Sequence, residues 1–562
     1  MQPPTYSIQN NPMKHSRHNK SRCIALSALA LGFIFSFWLM FHTFSINTEK
    51  NQLHINSKLW SDFGAHIPMI RSFSKGQNMS RLLHHKAIES PLFPNEPIRY
   101  HFGFFAIIGL LEKLGIPLDW AVNIPSALGF FLLLTTIYML SYKLFNHVTT
   151  ATLSVIFFLF NGSLSFLSFF KAHPLSSHTF TDIITNSRFS AFGPWDGNMI
   201  SAFWNLNIYT NQRHLALSYG LALANILLVA FPPKALHKHR VLQTLCVTLL
   251  LSTLLFINFP VAAIAILFLT WIFIYDKSSR PMLLFAVFAT IPALLWLRGL
   301  ANPEQLVVYK LGYLAPDTSL STIWNYWWHN LGLHLVLIPI GILCAPRSTR
   351  LLIIAPLLVI FLLPNIFRFS PDMINNHKFF NFALIIGGMF SAHALLTLSL
   401  RLGKARPIGL IFGVICLTLS GFIDFFPVVN DYKGTINDTA ANPDIQFFAN
   451  YTKPTDVIAN STWFYHPASL AGRALFSGYT YFTWSYGYEQ GKREKQLTEI
   501  YEAPNKPVLC SHLQKNDIAF VELNQKPETY LHPNFDLWNN LQPAYKNSKT
   551  GLAIFETQYI CP

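Results

Sequence analysis

The chain is poor in charge. Only 12% of its 562 residues are Asp, Glu, Lys or Arg, against roughly 25% in a soluble protein. That excludes an ordinary water-facing surface over most of its length. Acids are scarcer than bases, 26 against 41. There is no P-loop, no GxGxxG after a strand, and no CxxC, HExxH or GxSxG, so a nucleotide-driven pump and a zinc protease have no motif to rest on. No internal repeat favours an inverted-repeat transporter. Cysteines number six. Cys23, Cys246, Cys344 and Cys416 lie in or beside apolar runs, where Cys behaves as a small hydrophobe. Only Cys510 and Cys561 lie elsewhere, and an oxidising compartment would let them pair.

What the chain does have is apolar and aromatic: 51% hydrophobic residues, with 50 Phe and 13 Trp. Runs of membrane length recur from Cys23 to Pro427, which marks a polytopic α-helical membrane protein. Eleven candidate spans cover 23–44, 121–143, 150–170, 213–231, 242–258, 260–275, 281–299, 331–345, 351–367, 378–400 and 407–427. The first follows the basic stretch "MKHSRHNKSR" with no clear cleavage site, and reads as an uncleaved anchor. The run "FGFFAIIGLLEKLG" (102–115) is too short to cross and reads as an interfacial or re-entrant helix.

Charge orients the bundle. With residue 1 cytoplasmic, the inner segments hold fifteen bases and one acid, Asp276, so nearly the whole net charge of +15 sits on one face. This is the positive-inside pattern. The basic balance therefore reports topology, and nucleic acid is not needed to explain it. A cytoplasmic tail (1–22) leads into the bundle (23–427). The outer face carries the loops 45–120, 171–212 and 300–330, and a polar segment, 428–562. That last segment reads as a small extracytoplasmic α/β domain. "NPDIQFFANY" is a helix capped by Asn442 and opened by Pro443, and "DVIANS", "DIAFVEL" and "GLAIFET" are strands.

The outer face also collects the unusual polar residues. "LWSDFGAHIPMIRSF" supplies Asp62, His66 and Arg71, and "YHF" supplies His101. "GPWDGN" holds Asp196, and "TNQRHLALSYG" sets Arg213 and His214 at the mouth of a span. "FRFSPDMINNHKFFNF" adds Arg368, Asp372, His377 and Lys378, and the tail adds His466 and Arg473. Each has a plainer use. Arg213, Arg368 and Lys378 can snorkel, Asp62 can cap a helix beginning near Phe63, and "GPWDGN" can be a turn. Their convergence on one face of a charge-poor bundle points to function. An acid at a membrane surface with cations from other helices suits a lipid phosphate: Arg and Lys bind the phosphate, and the Asp accepts a proton from an attacking hydroxyl.

"SDFGAHIPMIRSFSKG" followed by "YHFGFFAIIGLLEKLGIPLDWAVNIPSALGF" resembles the first-loop region of the GT-C superfamily of integral membrane glycosyltransferases. "NQRHLALSYGLAL", "SPDMINNHKFFNF" and "HPASLAGRALFSGY" resemble a bacterial branch of GT-C-like proteins. The resemblance implies inverting transfer of a sugar from a polyprenyl-phosphate donor to a glycan, lipid or protein acceptor at the outer face of a bacterial inner membrane. Asp62 would be the base, with His66 beside it. Arg213, Lys378, and Arg368 or His377 would hold the donor phosphate, and Arg473 with the tail aromatics would cover the acceptor. Many members pair two acids where this chain has only Asp62, so no metal ligand is assigned and a divalent metal stays open. The rival readings are a transporter or flippase for lipid-linked glycans and a non-enzymatic assembly protein.

Overall fold

The structure is a computed structural model and describes residues 12–298 and 307–562. The start of the basic tail and the first part of the 300–330 loop lie outside the described residues. Among the described residues, six helices are long and apolar enough to cross a membrane, or seven if one bent pair forms a single span. One of the six, Met373–Val429, is two helices, His377–Ser399 and Arg406–Val429, joined at Gly403. The φ of +53° there is one that glycine adopts without strain. Ser27–Thr43, Val148–Leu159 and Phe259–Tyr275 are apolar but shorter.

Two of the eleven predicted spans are not continuous helices. The run 150–170 is helical only to Leu159, unwinds, and restarts at Ser165. The run 331–345 belongs to a pair, Leu320–Leu331 and His334–Cys344, bent by 84°. Gly332, at φ +50°, makes that corner. At 1.5 Å per residue, twelve residues reach about 18 Å, well short of a bilayer core. The helix Gly103–Lys113 is likewise too short to span. It packs on the helix Trp60–Ser74 closely enough that a Cβ on Gly109 would lie 2.5 Å from Phe73 Cβ.

Phe44–Asn47 and Gln52–Asn56 form an antiparallel hairpin, and Lys433–Asn437 adds a third strand to it. The segment after the anchor is thereby tied to the segment after the last helix. Beyond it, five strands form one sheet in the order Tyr545–Asn547, Leu552–Glu556, Ile518–Asn524, Val457–Ala459, Ala474–Leu475. The first two pairings are antiparallel and the last two, through Val457–Ala459, are parallel. The three strands expected from the tail sequence are among them. The helix Pro443–Tyr451 starts as expected, with Asn442 Oδ1 accepting from the amides of Asp444 and Ile445. Helices carrying Leu497, Ile500, Leu509 and Leu513 fill one core against this sheet. Cys510 and Cys561 are disulfide-bonded, 51 residues apart. Closing a loop of that size contributes about 4 kcal/mol in the chain-entropy account. Cys510→Ser should therefore lower the thermal midpoint of the oxidised protein and leave that of the fully reduced protein nearly unchanged.

Candidate active site

A cavity of about 490 Å³ opens at one end of the bundle, between the helix Trp60–Ser74 and the tail. Its floor is the helix Trp60–Ser74, which places Asp62 and His66 one turn apart on the same face. Asp62 sits in the first turn and makes no cap: Leu59 is the N-cap residue, without a side-chain bond. The expectation that Asp62 caps the helix is therefore corrected, and its carboxylate is left facing the cavity. A Cβ on Gly64 would lie 2.2 Å from Phe464, so only glycine lets the tail press this closely on the helix. Tyr465 reinforces the contact by donating to Trp60 O at 2.6 Å.

The other walls come from distant parts of the chain. His377 stacks on Phe203 at 4.6 Å and contacts Gln212 and Asn381. Lys378 is buried behind Asn375, to which its Nζ donates at 3.5 Å. Tyr481, Phe482 and Tyr486 roof the space. Tyr481 is fixed by donating to Asp372 at 2.6 Å, and Tyr486 stacks on Tyr100 at 4.5 Å.

Burial pushes the Asp62 carboxyl up to about 6, with the Lys378 ammonium pulling it back down. Burial, and the neighbouring Arg213 cation, hold His66 down to about 3, so it is neutral at ordinary pH. Burial first, then His214, keeps His101 well below the usual histidine range. His101 Nε2 and His214 Nε2 lie 2.6 Å apart. With both rings neutral, one must donate to the other. His214 Nδ1 is buried with no partner among the described residues, so a proton there would be an unpaired donor. The favoured arrangement puts the proton on His214 Nε2, donating to His101.

Of the residues singled out in the sequence, Asp62, His66 and His377 line the cavity. His101, His214 and Lys378 lie directly behind it. The rest are occupied elsewhere. Arg71 is fully buried between Glu112 at 2.9 Å and Asp438 at 2.8 Å. Arg213 is buried among neutral acceptors, Thr210 O, Thr43 Oγ1 and Asn123 Oδ1. Arg473 binds carbonyls of Thr452, Ala449 and Ala471. Asp196 accepts from the amides of Phe192 and Asn198, which closes the "GPWDGN" turn. Arg368 lies in a short strand pairing with Val308. The cavity also recruits residues the sequence did not mark, notably Lys58, Asn207, Asn211 and Gln212. Lys58 is ion-paired with Asp431 at 2.8 Å. Among the described residues, no group of three or more His, Cys, Asp or Glu side chains is placed to hold a metal ion.

This many-helix bundle, with a cavity under a mixed-sheet tail, shares its overall fold with the solved structures of ArnT. The chain superposes on ArnT from Cupriavidus metallidurans in the apo state with a TM-score of 0.50, at 10% identity, over 96% of this chain and 98% of that one. ArnT bound to undecaprenyl phosphate matches equally, over 95% and 98%. The archaeal oligosaccharyltransferase AglB from Archaeoglobus fulgidus, in complex with an inhibitory peptide and a dolichol-phosphate, matches more loosely, with a TM-score of 0.41 at 14% identity over 96% and 74%. No family model matches the sequence, and no curated protein does.

Proposed function

We propose that the protein moves a sugar from a polyprenyl-phosphate donor to an acceptor hydroxyl in the outer cavity, with Asp62 as general base. The observation that carries this reading is a single carboxylate, raised to about 6 by burial, facing an aromatic-roofed cavity. A base poised near working pH balances protonation state against driving force. The ArnT fold, one structure of which binds undecaprenyl phosphate, supports a lipid-phosphate donor. His377 and Gln212 in the wall, with Lys378 behind them, would take the phosphate, whose departure as an anion needs charge stabilisation rather than an acid. Tyr481, Phe482 and Tyr486 would pack on the acceptor. Attack by a hydroxyl activated by Asp62, on the face opposite the leaving phosphate, inverts the anomeric centre. In this reading the N-terminus is cytoplasmic and residues 428–562 lie outside, in a bacterial inner membrane, as the excess of bases on one face suggests.

The test is release of polyprenyl phosphate from a radiolabelled polyprenyl-phosphate sugar by the purified protein with acceptor extract. No release, with the donor bound, would overturn the assignment. The pH profile adds a second check. kcat/KM should fall tenfold per unit below about pH 6, where Asp62 takes up its proton. Lys378 stabilises the carboxylate, so Lys378→Met should move that limb to higher pH. An unmoved limb would remove Asp62 from the role of base.

A further inference from the structure

The break in the helix beginning at Val148 forms a second polar centre, away from the cavity. Helix Val148–Leu159 ends there, and helix Arg406–Val429 passes it close to its own end. Both helix ends carry partial negative charge, and neither has a basic residue in its last turn. Asp424, on the second of these helices, is only 6% exposed. Its Oδ1 has no partner among the described residues. Its Oδ2 has only weak neighbours, Asn161 Nδ2 and Ser165 Oγ, each at 3.4 Å. Among the described residues, no Lys, Arg or His acts on it. The helix that restarts at Ser165 does not offer its amides, because Ser165 N turns to Ser163 Oγ and Phe166 N to Ser420 Oγ.

We propose that this break is a sodium site formed by the Asp424 carboxylate with the hydroxyls of Ser163 and Ser165. Three observations converge. A buried carboxylate beside the carbonyl end of the helix Val148–Leu159 is balanced by a positive charge, and one carboxylate matches a monovalent ion. The oxygens form only long hydrogen bonds with one another, and their spacing is also that of ligands around one ion. Ser163 Oγ to Ser165 Oγ is 3.3 Å and Ser165 Oγ to Asp424 Oδ2 is 3.4 Å. An octahedron with oxygen ligands at about 2.4 Å, the range of a hard cation of this size, has edges of about 3.4 Å. Unwound backbone beside a helix C-terminus is also where membrane helices bind small cations.

The break is packed closely by its neighbours. A Cβ on Gly421 would lie 2.2 Å from Asn161 N, and one on Gly332 would lie 2.3 Å from Gly162 O. The ion would pin the 160–164 segment to the bent pair, where Leu164 N donates to His329 O. One residue further along that helix, Asn330 Oδ1 accepts from Ser201 N and Trp204 Nε1. These flank Phe203, the ring that stacks on His377 in the cavity wall.

The site makes no use of the transfer reaction, so its test does not either. The full chain, purified in detergent in choline chloride, is titrated with NaCl at constant ionic strength. Its thermal midpoint and its saturable ²²Na⁺ binding are measured. The expected result is a midpoint that rises and saturates with sodium but not with choline, and one bound ion per chain, both lost in Asp424→Asn. If that variant does not fold, Ser165→Ala decides the same question, with a sodium titration displaced to at least tenfold higher concentration. Equal midpoints in sodium and choline for the wild type, or an unaltered response in either variant, would overturn the proposal.

Discussion

Asp62→Asn should abolish the proposed sugar transfer, lowering kcat by about 10³-fold, the loss expected when a general base is replaced by an isosteric amide. The same substitution should leave the fold intact and make it more stable at neutral pH. The sign follows from the raised carboxyl. In the folded chain the group titrates near 6, against 3.8 when unfolded. Between those values the folded state binds more protons, so stability falls as pH rises through that window. An amide carries no charge to bury, so the variant escapes that loss. Its thermal midpoint should exceed the wild type's at pH 7.5 and match it at pH 4. A dead enzyme with a raised midpoint is the signature of a charge kept for chemistry at the expense of stability. Retained activity, or a variant that collapses, would exclude Asp62 from the role.

Arg71→Met should have the opposite profile, a large loss of stability. The guanidinium joins three parts of the molecule: its own helix, Glu112 on the neighbouring short helix, and Asp438 just past the third strand of the hairpin sheet. It also donates to Leu470 O in the tail. Removing it strands two buried carboxylates, which costs about 3–5 kcal/mol. The triple variant Arg71→Met, Glu112→Gln, Asp438→Asn should recover much of that, because the penalty lies in unpaired charge rather than lost volume. Thermal midpoints of the three proteins at pH 7.5 check the claim. A triple variant no more stable than the single one would place the loss in packing.

Asp62, His66 and Arg71 read in the sequence as one polar group, yet the helix divides them. His66 lies 40° round from Asp62, whereas Arg71, nine residues on, lies about 180° away. Arg71 therefore faces the tail while the other two face the cavity, a separation already implicit in the spacing. The tail strands and the Asn442 cap were legible because alternation and capping are local signals. The break at 160–164 had a local signal too, Asn161-Gly162-Ser163 inside an apolar run, but hydropathy averaged over a span smooths it away. Gln212, Asn207 and Asn211 could not be picked out, since neutral amides become part of a site only when distant elements meet. Arg213 and Arg473 were marked by their charge, but interior carbonyls and hydroxyls satisfy them as fully as a ligand would.

The three-stranded sheet sets an order of events. Gln52 pairs with Asn437 across 385 residues of chain. During synthesis the hairpin must wait, with one edge open, until every membrane helix has left the ribosome. Its last strand then acts as a latch that closes only over a finished bundle. A chain stopped before Lys433 would retain the helices and the Asp62 segment but present a free strand edge outside the membrane. Such a fragment should be recognised by quality-control proteases even when its insertion is complete.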